Sequence, residues 1–128
     1  MASLMDLLLG ADAVKIKERP SAVMRVPRLE ELLGGPFELK LEALTSREID
    51  ELPSDDRPVH VILKGVKNID FGNQELANKL KPEGRNTPLM PDEVVRTLFI
   101  PGEVNGIATA IFDLSGFGAN TIERIEKN

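Results

Sequence analysis

The sequence contains no cysteine, no tryptophan and no tyrosine, and a single histidine. Without a thiol it can form no disulfide, no thiolate zinc site and no cysteine nucleophile, and nothing points to an oxidising compartment. Five phenylalanines are the only aromatic residues, which calls for an aliphatic core and argues against a base-stacking platform. Four methionines are too few to line an adaptable groove. Near the start the longest apolar run is Leu7–Leu9, far short of a signal sequence or a membrane span, so residence in the cytoplasm is the expectation. Positive charge is in deficit, with 16 Lys and Arg against 21 Asp and Glu and a net charge of -5. That balance opposes non-specific binding to nucleic acid or to an anionic membrane, and it points to a protein partner.

What is present suits an ordinary globular chain: 41% apolar and 29% charged residues over 128 positions, enough for one core and not two. One domain over residues 1–128 is expected, with residues 1–26 as a mobile or extended arm. Leu4, Leu7 and Leu8 have helical spacing, with Gly10 placed as a C-terminal cap. Val14, Ile16, Ala22, Met24 and Val26 alternate with polar residues in two pieces around Arg19-Pro20, which predicts two short strands or an extended arm. Arg28–Leu33 allows a helical turn or two before Gly34-Gly35-Pro36 breaks the chain. Phe37, Leu39 and Leu41 alternate with charged residues as a half-buried strand.

Further on, Thr45 and Glu48 have the spacing of a capping box, predicting a helix from Ser46 that stops before Pro53. Val59–Leu63 is β-branched and apolar enough for a buried strand, although periodicity also allows a buried helix. Gln74–Leu80 reads as a two-turn helix. Pro91–Phe99 and Pro101–Leu114 read as two more, each opened by proline and acidic residues. In the last of these, Val104, Ile107, Ala108, Ile111 and Phe112 fall on one stripe. Gly116 is placed for a left-handed cap, with Phe117 folded back on the last turn. A final amphipathic turn over Thr121–Glu126 ends the reading. The fold class is α+β, a small antiparallel sheet from the N-terminal two thirds packed with a helical C-terminal part. Leu39, Leu41, Ile62, Val95, Ile107, Ile111, Phe112 and Phe117 are expected in one core.

No residue set carries chemistry. His60 has no second ligand type near it, and a packed or exposed histidine accounts for it better than catalysis or metal binding. Glu30-Glu31, Asp50-Glu51 and Asp55-Asp56 read as solvated surface, not as a magnesium or glycosidase site. The glycine runs lack a phosphate-loop or dinucleotide pattern. Ser115 lacks the Gly-x-Ser-x-Gly frame of a hydrolase. Lys15, Lys17, Arg19 and Arg25 suit a lysine-protected edge strand better than a nucleic-acid surface. Catalytic, cofactor and metal residues are therefore expected to be absent.

Taken together, Leu98, Pro101-Gly102-Glu103, Ile107, Ile111 and Leu114-Ser115-Gly116-Phe117 resemble the signature of the XkdN-like phage tail assembly chaperones, found in phages and in the PBSX and skin prophage-like elements. Phe37–Leu41 with Leu44-Thr45, His60–Val66, Asn68–Leu76, Thr87-Pro88 and Thr121–Asn128 extend the resemblance over nearly the whole chain. Lys81–Arg85 and Val104 depart from it. The resemblance implies a non-enzymatic factor made in the bacterial host cytoplasm and absent from the mature virion. Its expected partner is the tape measure protein, with the tail tube protein as a second candidate; no cofactor, nucleic acid or membrane is expected. A structural tail component, a tube or terminator subunit, is the alternative. The apolar groups most available to a partner are Leu4, Leu7 and Leu8 on the arm and Val14, Ile16 and Met24 behind it.

Overall fold

The computed structural model describes residues 3–118, 121–123 and 125. The closing turn expected over Thr121–Glu126 includes residues outside those described. Two short helices come first, α1 (Leu4–Gly10) and α2 (Ala13–Lys17), followed by strand β1 (Ser21–Arg25), helix α3 (Pro27–Leu33) and strand β2 (Glu38–Glu42). Helices α4 (Ser46–Asp50), α5 (Arg57–Gly65), α6 (Gln74–Leu80), α7 (Pro91–Leu98) and α8 (Pro101–Phe112) complete the α+β fold. A wider last turn, Asp113–Phe117, prolongs α8.

The sheet is a two-stranded antiparallel ribbon in which Ser21 faces Glu42, Val23 faces Lys40 and Arg25 faces Glu38. Its alternation places Leu39 and Leu41 in the core and Glu38 and Lys40 in solvent, as the period of two requires. Of the residues 1–26 expected as an arm, Ser21–Arg25 are thus strand, and Val26 is core.

Two strand expectations give way to helix. Val14 and Ile16 lie on α2, which Asp12 starts by accepting from the Val14 N–H at 2.9 Å. Lys15 and Lys17 lie there too, so the lysine protection expected on the edge strand is missing from β1. The run Val59–Leu63 is the middle of α5. Its strand propensity is overridden by packing: Val59, Val61, Ile62 and Gly65 are all buried against neighbouring helices, and Pro58 in the first turn presets helical φ without losing a needed donor. The chain enters this helix through Asp56, which adopts φ 52°.

Leu39, Leu41, Ile62, Val95, Ile107 and Ile111 are buried in one hydrophobic cluster as expected, together with Leu29, Val61, Val94 and Phe99. Phe112 only packs against this cluster. Phe117 is 65% exposed and is corrected from core to surface. It does fold back on the last turn, its ring meeting Phe112 edge to face at 5.6 Å. The turn that permits this is made by Gly116 at φ 96°.

Helices α5 and α8 meet where Gly65 has no side chain. A Cβ built there would lie 2.6 Å from Cδ1 of Ile111, which is completely buried. Gly65→Ala is therefore expected to cost about 1–3 kcal/mol through overpacking, and Ile111→Ala about 2–5 kcal/mol through the cavity left behind. Urea titration of each variant measures both; a loss below about 0.5 kcal/mol in either would remove this contact from the centre of the core.

Candidate functional site

A run of exposed apolar side chains is built on α1. Ser3 starts the helix through a reciprocal capping box: its Oγ accepts from the Asp6 N–H, and the Asp6 carboxylate accepts from the Ser3 N–H, both at 3.1 Å. The sequence that follows places Leu4, Met5, Leu7, Leu8 and Leu9 on a helix that buries no residue, with Leu4 76% and Leu7 63% exposed. Gly10, expected as the cap, is the last helical residue; Ala11 caps instead. On α2, Val14 and Ile16 are likewise exposed. Met24 is the exception among the six candidate contact residues. It points inward from β1 and packs against the core. The two helices are tethered to the body at Arg19, whose guanidinium donates to Glu48 at 2.9 Å and approaches Glu42 at 3.5 Å.

A second apolar surface has no signature in the sequence. Pro58 and Val59 of α5, Phe99, and Pro101 and Val104 of α8 wall a cleft of about 330 Å³, with Asp56, Arg96 and Asn105 at its rim. Arg96 bridges Asp92 at 2.9 Å and Asp56, joining the start of α5 to α7. The four-residue spacing of Asp92 and Arg96 was legible as a helical pair. Asp56, forty positions away, was not.

The motif residues of the last third hold the structure together. Glu103 accepts from the Ile100 N–H at 3.1 Å and takes a two-pronged bond from Arg28 at 2.8 and 2.9 Å. Arg28 also donates to the Leu98 carbonyl at 2.9 Å, tying α3 to the α7–α8 junction. Ser115 donates to the Ile111 carbonyl at 2.7 Å and accepts from the Leu44 N–H at 2.8 Å, fastening the end of α8 to the chain leaving β2. In the departing segment, Arg85 reaches forward to Glu93 at 2.6 and 2.9 Å and to the Pro88 carbonyl, bracing the loop before α7. His60 lies half-buried on α5. Among the described residues, no three acidic or histidine side chains gather as a metal site, and no helix is long and apolar enough to cross a membrane.

The guanidinium partners hold several carboxyls below their ordinary range: Asp92 through Arg96, and Glu103 through Arg28. Glu93 falls furthest, from the ordinary 4.5 to about 2, chiefly because Arg85 hydrogen-bonds its charged form, with help from the Met90 N–H.

The family model described as phage XkdN-like tail assembly chaperone protein, TAC, matches residues 55–127, more than half of the chain. The chain belongs to the XkdN-like family of phage tail assembly chaperones. The match takes in α5 to α8 and begins beyond the sheet and the two N-terminal helices. Neither the curated proteins nor the solved structures contain a match.

A carboxylate whose folded pKa lies below its unfolded one stabilises the fold above the unfolded pKa and loses that contribution as pH falls through the folded value. For Glu93 the window runs from 4.5 down to about 2. In an Arg85→Met variant the Glu93 carboxyl, followed by NMR, is expected to titrate higher than in the unsubstituted chain, moving toward its ordinary value while the Met90 N–H still holds it down, and acid sensitivity in that window to shrink. An unmoved titration would assign the shift to the backbone donor instead.

Proposed function

We propose that this chaperone binds the tape measure protein of its phage or prophage in the host cytoplasm, before the tail tube forms around it, and is left out of the mature virion. It acts without catalysis, by covering apolar surface on a long client that would otherwise aggregate. The tail tube protein is the second partner this reading admits.

The observation that carries the reading is the exposed leucine face of α1 on a chain of this family. Helices of seven and five residues are too short to be stable in water without a packing surface, yet α1 and α2 bury none of their residues. They suit a segment that orders fully against a client, laying Leu4, Leu7 and Leu8, then Val14 and Ile16, along an apolar stripe. The surplus of acidic side chains keeps both the free chaperone and its complex soluble. Met24 serves the core in this reading and is withdrawn from the client surface.

Co-expression with a fragment of the cognate tape measure protein tests the proposal. The full chain is expected to co-purify with the fragment and keep it soluble, while a chain lacking residues 1–10 loses most of the capture with its thermal midpoint nearly unchanged. Equal capture by the shortened chain would move the contact off the arm. Failure of the full chain to bind, or its assembly into rings or tubes, would favour a structural tail component instead.

A further inference from the structure

We propose that two copies of this chain associate through the free edge of β1, joining their ribbons into one four-stranded antiparallel sheet with Val23 facing Val23 of the second copy across a twofold axis.

The two edges of the ribbon differ. The outer edge of β2 is covered: Val66 bridges Leu41, the Lys67 N–H donates to the Lys40 carbonyl at 2.8 Å, and the Asn68 side chain takes the place of a strand, accepting from the Lys40 N–H at 2.9 Å and donating to the Glu38 carbonyl at 2.7 Å. Among the described residues nothing covers the edge of β1 in this way. Val26 donates to Phe37 and Ala43 donates to Pro20, which fixes the alternation: the main-chain groups of Ala22 and Met24 face β2, and those of Ser21, Val23 and Arg25 face outward. Among the described residues none meets these outward groups, and Val23 is 57% exposed. A two-stranded ribbon is marginal and an uncovered edge is a template for further pairing. The usual defence, lysine along the edge, sits on α2 instead.

The occupant that fits is the same strand turned about. Pairing β1 with itself, antiparallel and centred on Val23, sets Ser21 opposite Arg25, Val23 opposite itself and Arg25 opposite Ser21. All six outward donors and acceptors of each copy are then used. No like charges meet, since Arg25 faces a serine and keeps its own partner, Glu30, at 2.8 Å. Pro27, which has no N–H to give, ends the ladder, so its length matches that of β1.

A second feature agrees. On the core side of this edge, Met24, Val26, Pro27, Gly106 and Ile107 line an open groove of about 180 Å³ between β1 and α8. A Cβ at Gly106 would meet nothing within 4 Å. In the self-paired register Ala22 of the second copy lies opposite Met24, and Pro20 opposite Val26, bringing small apolar side chains to the mouth of the groove. Only one five-residue strand of each copy is engaged, without the breadth of a standard interface, and a weak Kd, on the order of 0.1 mM, is expected.

Sedimentation of the full chain over a concentration series tests this independently of any client. A reversible dimer is expected. Val23→Lys and Val23→Glu, both on the solvent face, are each expected to weaken it roughly fivefold or more by setting like charges opposite each other. Mixing the two variants is expected to restore it, because only a twofold contact at residue 23 opposes lysine to glutamate. Thermal melts establish that both variants stay folded; should either fail, Val23→Arg replaces the lysine variant or Val23→Asp the glutamate variant, with the same expected loss and the same recovery on mixing. A chain that stays monomeric to about 1 mM, a dimer indifferent to both charges, or a mixture that does not recover would overturn the proposal.

Discussion

The contact on which the rest of the structure depends is that between Ile111 of α8 and the bare backbone of Gly65 on α5. Because Gly65 offers no side chain, the two helices approach closely enough for Ile111 to be wholly enclosed. Helix α8 then carries Ile107 and Ala108 into the same cluster, and α5 carries Val59, Val61 and Ile62. Burial of this kind contributes roughly 1.5–3 kcal/mol for each large aliphatic side chain. The sheet gains its place by laying Leu39 and Leu41 on that helical pair, not the other way round.

Around this core the charged side chains act as ties between segments distant in sequence. Arg28 with Glu103, Arg96 with Asp56, and Arg19 with Glu48 each join elements that the chain separates widely. Exposed pairs stabilise little by themselves. Their geometry matters more than their energy, since Arg28 and Ser115 fix the two ends of α8, the helix that holds the core. The residues that look like a family signature are therefore punctuation and fasteners of this helix.

How much of this could be read in advance depended on whether the signal was local. The capping box of Thr45 and Glu48, the proline-led starts of α7 and α8, the left-handed Gly116 and the alternation of β2 all lie within a few residues, and each is found where expected. The nature of α5 was not decided locally, because a β-branched run fits a buried strand and a buried helix equally until its neighbours are placed. Phe117 was expected in the core as it folds back on the last turn; it does fold back, but the ring meets Phe112 at the surface. Of the candidate contact residues, the five on α1 and α2 are exposed, while the alternation that included Met24 turned its side chain inward. The cleft at Phe99 and Val104 needs three segments to meet, and no spacing announces it.

The picture is of a helical body with a fixed core, carrying ahead of it a leucine-rich pair of helices that lack a packing surface of their own. Hydrogen–deuterium exchange with and without a tape measure fragment tests that division most directly. The account predicts fast exchange across residues 4–17 in the free chain, slow exchange through α5 and α8, and protection on binding concentrated in residues 4–17. Protection confined to the cleft of Asp56, Phe99 and Val104, with the leading helices exchanging as before, would contradict it.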